Sequence, residues 1–139
     1  ADEMVRLLRA RRMMKPMNVM AADAKEALLV ELGLTRSHVR RHERGVLAAS
    51  NYFRTPELRT HPDACKRYLA LTEAAKKHYG AVDVEVMKKA LYAARLRGIN
   101  LQAVVFEPAA MKMHLSINQV PASAGPYTTL DINKLIAAK

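Results

Sequence analysis

Residues 18–32 read NVMAADAKEALLVEL. Asn18–Ala22 and Glu26–Leu32 are short apolar runs on either side of Asp23-Ala24-Lys25. That pattern predicts strand, turn, strand, and Gly33 then breaks the run. Beyond it, Thr35 to His42 alternates, with Arg36, His38, Arg40 and His42 pointing one way and Ser37 and Val39 the other. The period of two predicts a further strand with a polar face. Glu43-Arg44-Gly45 reads as a turn and Val46–Ser50 as another strand. The first third of the chain is thus expected to be an antiparallel meander of about four strands.

Working outward, Asp2–Met13 carries Met4, Val5, Leu7 and Leu8 on one face at helical spacing, and Pro16 ends that helix. The middle of the chain reads as helical. Thr60 and Asp63 resemble a capping box with Pro62 in the first turn. Ala64, Tyr68, Leu71 and Ala75 form the apolar face, and Gly80 stops the helix. Asp83 can cap the next one, with Met87, Ala90, Leu91 and Ala94 facing inward and Gly98 at its end. Strands return at Ile99–Phe106 and Met111–Ile117, with Pro108-Ala109-Ala110 as a hairpin connection. Residues 121–126 (PASAGP) form a loop, and Leu130–Ala137 is a short terminal segment. Strand runs separated by a helical pair predict an α+β fold with antiparallel sheets, not a doubly wound parallel one. Residues 1–139 read as a single domain segment whose open sheet edges call for pairing with another chain.

Half of the 139 residues are hydrophobic, enough for a real core and against disorder. No apolar stretch approaches the roughly 20 residues that span a bilayer, so no transmembrane segment is expected. Residues 1–12 alternate charge with apolar side chains and do not read as a secretory signal. A single cysteine forms neither an internal disulfide nor a thiolate metal cluster. Nothing points to an oxidising compartment, and the expectation leans to the cytoplasm. The formal charge is +10. Its two clusters, Arg9, Arg11, Arg12, Lys15 and Arg36, Arg40, Arg41, Arg44, are not interleaved with aromatics as a base-stacking surface is. A solvated surface or subunit contact is therefore expected in preference to nucleic-acid binding.

Cys65, the one thiol, is expected inside the helix begun at Thr60, beside Lys66 and Arg67, as a structural cysteine. His38 and His42 share a strand face, but no third ligand follows at a recognisable spacing, so no metal is expected. Met13, Met14, Met17 and Met20 read as adaptable packing. Residues 45–58, GVLAASNYFRTPEL, are different. An apolar strand ends in the polar pair Ser50-Asn51. A carboxamide there can either donate its NH₂ to a developing oxyanion or satisfy local turn backbone.

GVLAASNYFRTPEL resembles the segment "G-hydrophobic-x-A-(T/S)-N-(H/Y)-F-x-(S/T)-P-E-(L/M)" of penicillin acyltransferase-type hydrolases. These belong to the cysteine N-terminal-nucleophile (Ntn) superfamily, with choloylglycine hydrolases as relatives. Residues 18–33 resemble that family's hairpin, and the helix holding Cys65-Lys66-Arg67-Tyr68 its arginine-bearing helix. Residues 101–132 resemble its closing hairpin, through Val104-Val105-Phe106-Glu107-Pro108 and the loop Pro121–Tyr127. The resemblance covers nearly the whole chain and implies part of a four-layer αββα sandwich. It implies an amide-bond hydrolase or acyltransferase acting on acyl amides or thioesters, with a Cys exposed by autoproteolysis as nucleophile and no cofactor. It makes Asn51 the oxyanion donor and Arg67 a charge stabiliser. The only Cys here does not fit the nucleophile position, so the chain corresponds to the C-terminal portion. A separate chain or a missing segment supplies the Cys, making a hetero-oligomer in the first case, or catalysis is lost. The alternative is a non-catalytic structural or assembly subunit with the same fold and a basic partner-binding surface.

Overall fold

The computed structural model describes residues 1–11, 14–23, 25–59 and 65–138. The chain divides into a first unit, Ala1–Tyr68, and a second that begins at Leu69. The fold is mixed α+β, with one small antiparallel three-stranded sheet in each unit.

In the first unit, helix α1 (Asp2–Arg9) precedes strands β1 (Met17–Ala22), β2 (Ala27–Leu32) and β3 (Ser37–Arg41). β2 is central, pairing with β1 in the register Met17↔Leu32 to Ala22↔Ala27 and with β3 from Leu28↔Arg41 to Leu32↔Ser37. The hairpin turn is held by Asp23, whose Oδ1 accepts from the amides of Lys25 and Glu26. Alternation sends Leu28, Val30 and Leu32 to one face, where they bury Val5 of α1 with Leu8, Val19, Ala21 and Val39 around it. This is how an eight-residue helix of weak intrinsic stability persists: Val5 is buried and Leu8 half-buried against the sheet, although Met4 and Leu7, expected on the same face, are exposed. The opposite face carries Asn18, Leu29, Glu31, His38 and Arg40, and residues 48–55 lie across it.

The expected fourth strand does not form. Arg44 and Gly45 take positive φ in a tight turn, and only the single bridge Glu43↔Val46 follows it. The backbone then leaves β3 and crosses the polar face, because side chains there claim its carbonyls: Arg40 Nη1 donates to Ala48 O (3.4 Å) and Asn18 Nδ2 to Ser50 O (2.7 Å).

Helix α2 (Lys66–Lys77) begins six residues later than the expected start. That start, with the Thr60, Pro62 and Asp63 cap and the face residue Ala64, lies outside the described residues, as does Met13 at the expected end of α1. Gly80 at φ +77° sits just past α2. In the second unit α3 (Val84–Ala93) is capped by Asp83, which accepts from the Val86 amide at 2.8 Å. Strands β4 (Ala103–Glu107), β5 (Lys112–Ser116) and β6 (Thr128–Asp131) form its sheet in that order. The terminal segment divides into β6 and the short helix α4 (Ile132–Ala137). Helix α3 packs on β4 and on the 3-10 turn at Ala122–Ala124, burying Ala90, Ala103, Val105 and Ala122. No helix among the described residues is long and apolar enough to cross a membrane.

Candidate active site

Glu31 organises the polar face of the first sheet. It stands in the apolar run ALLVEL and is fully buried. Its Oε1 accepts the Arg54 amide (2.8 Å), its Oε2 accepts the Thr55 amide (2.9 Å), and Arg40 Nη1 lies 3.3 Å from Oε1. Burial pushes this carboxyl's pKa up. The two amides, the nearby Thr55 hydroxyl and the Arg40 charge outweigh it and hold the group below the ordinary glutamate value. The amides are the firm anchors, since Thr55 Oγ1 is buried without an aligned hydrogen bond.

Asn51 is therefore fixed from both sides. Its N-terminal neighbour, Ser50, is tied to β1 through Asn18, and Arg54 and Thr55 are tied to β2 through Glu31. The first turn of α2 joins the same segment. Arg54 stacks over the Tyr68 ring at 4.3 Å, and Arg67 Nη1 donates to Asn51 Oδ1 at 3.2 Å. Asn51 and Arg67, the two site residues read from sequence, are thus in direct contact. A guanidinium has only donors, so its bond to Oδ1 sets the amide orientation and turns the Asn51 NH₂ away. Among the described residues that NH₂ meets no acceptor, and Asn51 is exposed.

Cys65 is corrected in position. It directly precedes the first residue of α2, so its sulfur lies at a helix N-terminus and not inside a helix. Burial raises the thiol pKa. The Ser50 hydroxyl, the amides of Tyr68 and Arg67 and the Arg67 charge together outweigh burial and bring it below the ordinary cysteine value. Ser50 Oγ is close to the sulfur but makes no aligned hydrogen bond, so the helix amides are the better-founded cause.

The second arginine cluster is divided by the sheet: Arg40 turns to Glu31, while Arg41 pairs with Glu26 and Asp2. His38 is exposed, and His42 Nδ1 accepts from the Gly45 amide at 3.2 Å. Among the described residues no three His, Cys, Asp or Glu side chains are placed to hold a metal ion.

Sequence reasoning missed Glu31, although a carboxylate inside an apolar strand is itself a signal of a buried anchor. It also missed the capping position of Cys65. No protein-family model, no curated protein and no solved structure matches this chain.

Proposed function

We propose that this chain supplies the oxyanion-stabilising part of an amide-bond hydrolase or acyltransferase of the cysteine N-terminal-nucleophile kind, with the nucleophilic Cys coming from outside residues 1–139. One observation carries the reading: Arg67 holds the carboxamide oxygen of Asn51, leaving its NH₂ unclaimed on a rigidly anchored segment. A donor that need not reorganise stabilises a tetrahedral oxyanion most effectively. The αββα sandwich belongs to this proposal, as do the acyl amide or thioester substrate and the Cys-bearing segment or partner chain. The chemistry uses only protein groups, so no cofactor is involved.

A second reading makes Cys65 itself the nucleophile, favoured by its sulfur's place at the N-terminus of α2. One experiment separates the two. The complete polypeptide or assembly is purified, and its hydrolysis of acyl amides is compared with that of the Cys65→Ser form. Under the first reading the variant keeps its rate within a few fold, and a covalent acyl adduct maps to a Cys outside this chain. Loss of turnover with the fold intact would move the nucleophile to Cys65. Absence of any acyl adduct would leave the alternative, a non-catalytic assembly subunit with a basic surface.

A further inference from the structure

The second sheet brings together a hydroxyl, an imidazole and a carboxylate that the proposed function does not use. His114 on β5 is 7% exposed. Its Nδ1 lies 2.9 Å from Thr129 Oγ1 on β6, and its Nε2 lies 2.7 Å from Glu107 Oε1 on β4. We propose that Thr129, His114 and Glu107 form a nucleophile–base–carboxylate relay, and that Thr129 accepts acyl groups from activated esters or thioesters of small carboxylic acids.

The register explains the contact. Ile132 N donates to Met111 O, which makes 111/132, 113/130 and 115/128 the hydrogen-bonded pairs of this ladder. His114↔Thr129 is then a non-hydrogen-bonded pair, where facing side chains come closest. Val105 faces His114 across β4–β5, so Glu107 is its diagonal neighbour on the same sheet face, within reach of a long side chain. With the ring hydrogen on Nε2 toward the Glu107 carboxylate, Nδ1 is left to accept from the Thr129 hydroxyl. That is the order a general base needs: nucleophile to base, base to orienting carboxylate. The Thr129 hydroxyl is open, the His114 ring is shielded and Glu107 is half-exposed. β6 is an edge strand, and the same phase points the Thr129 N–H out of the sheet, beside its own Oγ1, where an oxyanion on the attacked acyl group would form.

The step balances without a further reactant. Thr129 Oγ1 bonds to the acyl carbon while its proton passes to His114 Nδ1, and Glu107 compensates the imidazolium charge. The tetrahedral intermediate expels the alcohol or thiol, which takes that proton and leaves an ester on Thr129. Water, deprotonated by the same ring, then releases the carboxylic acid.

The test is incubation of the full chain with p-nitrophenyl acetate, following p-nitrophenol release and mapping acetyl adducts by peptide mass analysis. Acetylation at Thr129 is expected, retained in Thr129→Ser and absent in Thr129→Val. His114→Asn should slow it by about 10²–10⁴, the range for a positioned base. Glu107→Gln, at a half-exposed position, should slow it less, with an unchanged circular-dichroism spectrum. Adducts confined to lysines or Cys65, or acetylation of Thr129 at a rate indifferent to His114→Asn and Glu107→Gln, would overturn the proposal and leave three cross-strand partners of structural value only.

Discussion

Replacing Glu31 with Gln should release the segment that carries Asn51 while leaving the sheet beneath it in place. In the native site Glu31 accepts two backbone amides, at 2.8 and 2.9 Å, and faces the Arg40 guanidinium. Glutamine keeps one carbonyl oxygen and so one amide bond. Its NH₂ then opposes the other amide, leaving a buried donor unpaired at about 1–3 kcal/mol and removing a charge-assisted bond of roughly 1.5–3 kcal/mol. The sum, roughly 2.5–6 kcal/mol, brackets the range for breaking a buried ion pair. Each 1.36 kcal/mol is tenfold, so hydrogen exchange at the Arg54 and Thr55 amides should accelerate by roughly 10²–10⁴-fold. Amides of Val30 and Leu29 in β2 should change far less, since opening is local. The pH dependence has a definite sign. A carboxyl lowered by folding contributes stability that is complete above its unfolded value of about 4.3 and is lost as pH falls through the lower folded value. Protection at Arg54 and Thr55 should therefore fade in acid, and Glu31→Gln should abolish that dependence. Unchanged exchange at both amides in the variant would refute the anchoring role.

Cys65 should react with iodoacetamide at lower pH than a free cysteine thiol, and Arg67→Met should move the profile upward by removing one source of the shift. An ordinary profile unaffected by Arg67→Met would contradict the helix-terminus account. The chain by itself should self-associate or bind a partner through its sheet edges, where Met17, Met20 and Phe106 are exposed. A monomer by sedimentation with a cooperative melt would count against it. Binding to random DNA should show no steep salt dependence, because Arg40 and Arg41 of the second cluster turn to opposite faces and pair with carboxylates.

The sheet of the first unit was legible because its signals were local. Two apolar runs flanked a polar turn that begins at Asp23, Gly33 ended the second run, and Thr35 to His42 alternated. The strand expected at Val46–Ser50 had equally good composition, but its carbonyls went to Asn18 and Arg40, a tertiary competition that periodicity does not express. Asn51 and Arg67 could be chosen only through the motif resemblance, because the bond between them spans 16 residues and depends on where α2 begins. Glu31 was legible in principle, as the single charge in ALLVEL. The relay in the second unit was not, because residues 107, 114 and 129 carry no common spacing and meet only through strand register.

The kinetics of Asn51→Ala in the complete Cys-bearing assembly test the proposed role of the Asn51 carboxamide most directly. Loss of one oxyanion donor should lower kcat by about 10²–10³, equivalent to roughly 3–4 kcal/mol, with KM little changed. Asn51→Asp should be at least as damaging, because a carboxylate repels the developing charge. A variant that melts early yet retains its kcat would make Asn51 a brace for the first turn of α2 and not an oxyanion donor.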